Sequence, residues 1–178
     1  MKMFVTGGAR SGKSAFALGV AESVDKKKYF IATAEALDEE MENRIEKHRS
    51  ERSSDWITLE EPIAISKTMD ELDLHGNLLL IDCLGLWTSN MMMDKNINVE
   101  QASLVLIEGI TKFSGDIILV SNEVGLGIVP DNLISREFRD NLGRLNRLAA
   151  SACSEAVLMV CGIPLWLKGG PGAGPLER

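Results

Sequence analysis

The sequence has few of the features that mark nucleic-acid-binding, membrane-spanning or disulfide-bonded proteins. Its 19 Lys and Arg are outnumbered by 26 Asp and Glu, which gives a net charge of −7, whereas nucleic-acid-binding surfaces are normally basic. No apolar run approaches the ~20 residues that a membrane span requires. The three cysteines, Cys83, Cys153 and Cys161, are an odd number at spacings that match no zinc pattern. We therefore expect reduced, mostly buried thiols in a cytoplasmic protein. No signal peptide is expected either, because the first residues already have the pattern of a core strand.

Short apolar runs alternate with longer stretches of helical periodicity, and this pattern predicts an α/β fold with a mostly parallel sheet and right-handed crossovers. A single domain is expected over residues 1–168, followed by a flexible glycine- and proline-rich tail at 169–178. Residues 83–96 are rich in methionine and are expected to be less regular. Strands are expected near 2–6, 29–33, 56–60, 78–82, 116–121, 156–161 and 163–168, and helices near 13–24, 38–52, 62–72, 99–113 and 136–152.

The most informative stretch follows the first expected strand and fits the pattern G-x-x-x-x-G-K-[ST] of phosphate-binding P-loops. Glycines let the backbone fold tightly, so that several N–H groups and the N-terminus of the next helix face one phosphate chain. Lys13 would neutralise the β- and γ-phosphate oxygens, and the Ser14 hydroxyl would hold Mg²⁺. The expected phosphate-binding residues are Gly7, Gly8, Ala9, Arg10, Ser11, Gly12, Lys13 and Ser14.

Two further strand ends carry polar groups. The apolar run over residues 78–81 ends in Asp82, which is typical of a Walker B strand that delivers an acid to the metal. Asn122 ends another apolar run and is followed by a glycine-containing loop to Pro130. Because ligands bind at the carboxyl ends of parallel strands, this loop suits a substrate site. An ordinary strand-to-helix loop is the alternative.

Other stretches leave more than one interpretation open. The apolar stripe of the expected helix over 38–52, formed by Met41, Ile45 and His48, is thin, so that helix is expected to be weakly anchored. From the residues alone, His48 is more typical of an interfacial side chain than of a catalytic one. Residues 91–93 are all methionine and suit core packing, an apolar ligand or a subunit contact. Of Arg136, Arg139, Arg144 and Arg147, one or two could reach phosphate, and the others would form surface ion pairs.

Several stretches together resemble the bifunctional adenosylcobinamide kinase/adenosylcobinamide-phosphate guanylyltransferases of cobalamin biosynthesis. The resemblance extends to about residue 168 and implies a three-layer, RecA-like P-loop NTPase fold and a homotrimer. It implies an enzyme that phosphorylates adenosylcobinamide with GTP or ATP, then transfers GMP from GTP to that phosphate and releases pyrophosphate. Besides the P-loop, it is carried by residues 29–34, 38–41, 44–45, 48–49, 82–84, 86–87, 90, 122–130, 138–140 and 143–146.

Guanylyl transfer in this family passes through a histidine–GMP intermediate, and motif position assigns that role to His48. A neutral imidazole can attack the α-phosphorus near pH 7, and the resulting phosphoramidate can pass GMP onward. Lys13 and Asp82 are the other expected catalytic residues, and either Asp82 or Glu123 could orient the acceptor hydroxyl. The chain departs from the family at Gly85, where threonine is more usual. The resemblance implies nucleotide contacts at Thr33, Ala34, Glu35, Arg49, Ser50, Glu51, Arg52, Glu60 and Asp82, and a magnesium site at Ser14 and Asp82.

Two other functions fit parts of the sequence. A small-molecule or nucleoside kinase would use the P-loop without a covalent step. A regulatory module would bind GTP and a partner without turnover. His48 together with the loop after Asn122 favours the bifunctional enzyme over both.

Overall fold

The computed structural model describes residues 1–35, 46, 49 and 52–170. Within this part of the chain, seven strands form one sheet in the order β3-β2-β4-β5-β1-β6-β7. The strands are β1 (Lys2–Gly7), β2 (Lys27–Ala32), β3 (Trp56–Glu60), β4 (Asn77–Asp82), β5 (Asp116–Asn122), β6 (Glu155–Val160) and β7 (Ile163–Lys168). The helices are α1 (Lys13–Glu22), α2 (Ile65–Glu71), α3 (Leu84–Met93), α4 (Val99–Lys112) and α5 (Leu133–Ala152).

The sheet is parallel from β1 to β6, and β7 alone pairs antiparallel, with β6. Parallel strands that are covered on both faces need nearly continuous apolar runs, and residues 78–81 of β4 are fully buried. β5 lies between β1 and β4, so one strand separates the P-loop strand from the strand that ends in Asp82. This order confirms the expected RecA-like α/β fold.

Helices pack on both faces of the sheet through apolar side chains, so the fold has three layers. On one face, the small side chains of Ala17 and Ala21 let α1 pack closely against the sheet. The helices α2 to α5 cover the opposite face through Met69, Trp87, Ile110 and Leu145. In folds with helices on both faces of a parallel sheet, ligands bind at the carboxyl edge of the sheet.

The expectation that residues 83–96 are irregular is wrong, because Leu84–Met93 forms α3. The Cys83 side chain accepts a hydrogen bond from the Leu86 N–H at 3.5 Å and caps this helix. Met91 is buried in the core, whereas Met93 is 76% exposed, so core packing explains only part of the methionine run.

Other boundaries lie close to expectation. α5 begins at Leu133, three residues earlier than expected, because the Asn132 side chain accepts from the Ser135 N–H and caps the helix. Cys83 and Cys153 are buried as expected, but Cys161, in the turn between β6 and β7, is exposed. None of the described helices is long and apolar enough to cross a membrane. The expected helix over 38–52 and tail over 169–178 lie outside the described residues, except for residues 46, 49, 52, 169 and 170.

Candidate nucleotide site

A cleft with about 850 Å³ of open space lies at the carboxyl edge of the sheet. The strands β2, β3, β4 and β5 contribute residues at or near their carboxyl ends, which the parallel register brings together. The helix after β1, α1, contributes Lys13 and Ser14. The cleft is lined by Lys13, Ser14, Phe30, Ala32, Ala34, Arg49, Arg52, Thr58, Glu60, Asp82, Cys83, Leu86 and Asn122.

The P-loop joins β1 to α1 in a backbone shape that its glycines make possible. A side chain on Gly7 would bring its Cβ within 2.6 Å of the Met159 carbonyl oxygen. Gly12 has a φ of 90°, in the left-handed region that favours glycine. The Gly162 N–H donates to the Ser11 carbonyl at 3.0 Å and ties the loop to the β6–β7 turn. The β6–β7 turn therefore supports the side of the P-loop that faces away from the cleft.

The Lys13 side chain of the P-loop suits an anionic ligand. Its Nζ donates to the Gly8 carbonyl oxygen at 2.9 Å, so the ammonium lies against the loop backbone. The Ser11 Oγ is buried and has no hydrogen-bond partner within the described part of the chain, but Ser11 does not line the cleft. Of the eight expected phosphate-binding residues, only Lys13 and Ser14 line the cleft, while Gly8, Ala9, Arg10 and Gly12 are exposed on the loop.

The expected magnesium ligands, Ser14 and Asp82, line the same cleft. Mg²⁺ usually takes one or two protein oxygen ligands and fills its other positions with water and substrate phosphate. A hydroxyl and a carboxylate beside a phosphate-binding loop form such a donor set, so the residues present fit the ion.

Thr33 is fully buried behind the wall of the cleft. Its Oγ1 donates to the Cys83 carbonyl and accepts from the Cys83 N–H, both at 2.8 Å. Asn90 adds a bond from its Nδ2 to the Thr33 carbonyl at 2.9 Å. The Thr33 side chain therefore holds the backbone that follows Asp82, and it does not line the cleft.

The wall farther from the P-loop contains aromatic and charged groups that suit a base and ribose. The Arg52 guanidinium lies 3.9 Å from the centre of the Phe30 ring, a cation–π contact. Arg49 forms an ion pair with Glu60 at 2.5 Å. Ala34 also lines this wall, whereas Glu35 is exposed outside it. His48, Ser50 and Glu51, which the sequence also assigns to this site, lie outside the described residues.

Sequence reasoning did not single out Phe30, Thr58, Cys83 or Leu86 as cleft residues. The strands that carry Phe30 and Thr58 were expected but α3, which carries Leu86, was not, and no local signal marks which strand residues face a cleft. Burial, together with the charge of Asp82, raises the pKa of the Cys83 thiol to about 11. Cys83 therefore remains a thiol at neutral pH, and a thiolate nucleophile is not available there.

The two acids that the sequence could not rank are placed differently. Asp82 lines the cleft. The Glu123 carboxylate accepts from the N–H groups of Gly125 at 2.7 Å and Leu126 at 3.2 Å, so it shapes its own loop.

The arginines of α5 were candidates for phosphate contacts. Arg136 donates to the Pro130 carbonyl at 3.0 Å. The neighbouring Arg139 pairs with Asp140, and Arg144 donates to Asn141; these three arginines do not line the cleft.

Comparisons with known proteins agree with the geometry. Residues 3–167 match a family model described as "Cobinamide kinase / cobinamide phosphate guanyltransferase". The chain is 41% identical over 172 residues to "Bifunctional adenosylcobalamin biosynthesis protein CobP" of Pseudomonas aeruginosa, covering 96% of this chain and 99% of that protein. It is 37% identical over 188 residues to "Bifunctional adenosylcobalamin biosynthesis protein CobU" of Escherichia coli, covering 94% and 100%. A solved structure from Pyrococcus horikoshii shares the fold at 6% identity, with a TM-score of 0.54 and coverage of 99% and 93%.

Proposed function

This chain belongs to the cobinamide kinase/cobinamide phosphate guanyltransferase family, and we propose that it carries out both reactions on adenosylcobinamide. It phosphorylates adenosylcobinamide with GTP or ATP, then transfers GMP from GTP to the new phosphate, giving adenosylcobinamide-GDP and pyrophosphate. The observation that carries this proposal is the cleft in which the P-loop, Asp82 and the Arg49–Glu60 pair lie together. We also propose that the enzyme is cytoplasmic and forms a homotrimer, as the family resemblance implies.

In the kinase step, the acceptor hydroxyl attacks the γ-phosphorus and the bond to the β–γ bridging oxygen breaks. Lys13 moves from the Gly8 carbonyl to the phosphate oxygens and neutralises the charge that develops there. Mg²⁺, held by Ser14 and Asp82, would supply further charge neutralisation when bound. Of the two candidate acids, we assign the orientation of the acceptor hydroxyl to Asp82. What supports this choice is that Asp82 lines the cleft, whereas Glu123 is already bonded to its own loop.

In the guanylyl step, a His48 ring nitrogen attacks the α-phosphorus of GTP, and pyrophosphate leaves from the P-loop. The acceptor phosphate then attacks the same phosphorus, and the P–N bond breaks. His48 lies outside the described residues. What supports its assignment is the family motif, together with its sequence neighbour Arg49, which lines the cleft. One nucleotide site would then serve both steps.

A covalent labelling experiment tests this proposal. The chain is incubated with Mg²⁺ and GTP labelled at the α-phosphate, and the protein is separated on a denaturing gel. We expect label on the native protein and on His75→Ala, which changes the only other histidine. His48→Ala should carry no label and form no adenosylcobinamide-GDP, yet still phosphorylate adenosylcobinamide. Label retained on His48→Ala contradicts the assignment, and an unlabelled native protein indicates a kinase without a covalent step.

A further inference from the structure

Asn122 is a cleft residue to which the proposed mechanism gives no role. It ends β5 and pairs in register with Gly7, the first residue of the P-loop. Its side chain lines the cleft, and within the described residues its amide group makes no hydrogen bond. A polar side chain held in a cleft without a protein partner is available to a ligand.

The backbone of Asn122 is fixed from two sides. The Asn146 Nδ2, on α5, donates to the Asn122 carbonyl at 2.9 Å, and the Asn146 Oδ1 accepts from the fully buried Ser121 hydroxyl at 2.6 Å. The next N–H, of Glu123, donates to the Gly7 carbonyl at 3.0 Å. Asn146 and the P-loop together therefore fix the backbone position from which the Asn122 side chain extends.

The neighbouring α3 leaves room for this amide. A Cβ on Gly85 would lie 3.1 Å from the Asn122 Nδ2, closer than carbon and nitrogen normally approach. The absence of a side chain at Gly85 gives the Asn122 amide its place.

The position of Asn122 favours phosphate over base as its ligand. β5 lies between β1, which carries the P-loop, and β4, which ends in Asp82. The aromatic and charged wall formed by Phe30, Arg52 and Thr58 belongs to the β2–β3 side of the cleft. Asn122 thus lies on the phosphate side. An amide NH₂ supplies neutral donors, and phosphate oxygens accept.

We propose that the Asn122 side-chain amide donates a hydrogen bond to the terminal phosphate of a bound nucleoside triphosphate. Asn146 acts as the residue that positions it. The inference rests on the proposed function for the identity of the nucleotide, but its test is a binding measurement that needs no corrinoid.

The experiment measures the affinity of the full chain for the β,γ-imido analogue of GTP and for GDP, each with Mg²⁺, by titration calorimetry. Asn122→Ala should weaken binding of the triphosphate analogue by at least about tenfold, as expected for a lost bond to a charged group. Its affinity for GDP should change by less than about twofold, because GDP lacks the terminal phosphate. The control is Asn141→Ala. Asn141 lies on α5, as Asn146 does, and its side chain accepts a hydrogen bond. This variant should leave both affinities unchanged.

Two further variants separate contact from folding. Asn122→Asp keeps the size of the side chain but replaces the donor with a charge that repels phosphate, so it should lose more triphosphate affinity than Asn122→Ala. Asn146→Ala should reduce the preference for triphosphate over diphosphate by about threefold, whereas a merely structural role would weaken both nucleotides equally. Equal losses for the two nucleotides in the Asn122 variants, or no loss, would overturn the inference.

Turnover of adenosylcobinamide separates the two proposals. A chain that shows the Asn122-dependent preference but converts no adenosylcobinamide refutes the proposed function and supports the inference. A chain that converts adenosylcobinamide, with an unchanged triphosphate preference in Asn122→Ala, refutes the inference alone.

Discussion

At the end of β2, the Thr33 hydroxyl makes two buried hydrogen bonds to the Cys83 backbone. Thr33→Val keeps the shape of the side chain but leaves the Cys83 N–H and carbonyl without their partner. Because buried unpaired groups are costly, the free energy of unfolding should fall by about 1–3 kcal/mol, as measured by urea denaturation. Kinase activity should also fall, because the segment after Asp82 is released.

Two control variants show whether burial of the Thr33 hydroxyl causes the loss of stability in Thr33→Val. Thr33→Ser keeps the hydroxyl and should retain most of the stability. Thr111→Val removes a hydroxyl that donates to the Ile107 carbonyl on the exposed face of α4. Because water can replace this bond, the free energy of unfolding should change by no more than about 0.5 kcal/mol. Similar small losses in Thr33→Val and Thr111→Val would contradict the buried-clamp explanation.

The residues of the site divide into those that a local pattern reveals and those that only the fold brings together. The P-loop and Asp82 were predicted because their chemistry needs fixed residue types at fixed spacings. Phe30 and Thr58 became cleft residues through the pairing of β2 with β3. No residue spacing in the sequence indicates that Phe30 and Thr58 are neighbours. Thr33 was identified by family position, but its contact with Cys83, fifty residues away, required the structure.

At the scale of elements, the strands were predicted, whereas α3 was not. Buried parallel strands are continuous apolar runs, which are easily recognised. α3 combines Gly85 with three consecutive methionines, and its cap is a cysteine, a residue that is not among the usual helix caps. Its buried stripe, Leu84, Trp87 and Met91, follows helical spacing but is interrupted by these weaker signals.

The loop over residues 123–130 combines a fixed backbone with exposed aliphatic side chains. Glu123 and Arg136 hold its two ends, while Leu126 is 83% and Ile128 98% exposed. Because the loop begins at the cleft, we predict that the apolar face of the corrin ring lies against it. Ile128→Ser should raise the KM for adenosylcobinamide about tenfold and leave the KM for GTP unchanged.

The control for this prediction is Leu74→Ser. Leu74 is 64% exposed and precedes β4, at the opposite edge of the sheet, so neither KM should change. Steady-state kinetics with each substrate varied in turn provide the measurement. An unchanged KM for adenosylcobinamide in Ile128→Ser would place the acceptor elsewhere.

For the whole molecule, we predict that the proposed homotrimer makes its contact on the part of the sheet that no described helix covers. α5 covers Ala156, but farther out on the same face Val160 is 43%, Ile163 62% and Leu165 48% exposed. Val160 pairs with Ile163 in register, so their side chains share one side of the sheet. An aliphatic sheet face of this kind is stabilised when another subunit covers it.

Light scattering after size exclusion should therefore give a native mass of about three times the 19.5 kDa of one chain. Leu165→Glu places a charge on the proposed contact, and burying it unpaired costs more than a subunit interface can offset, so the mass should fall to that of one chain. Leu104→Glu introduces the same charge on α4 at nearly equal exposure, 47% against 48%, and should remain trimeric. A trimer that persists in Leu165→Glu would move the contact away from β7, whereas dissociation of both variants would mean that added charge, wherever it lies, separates the subunits.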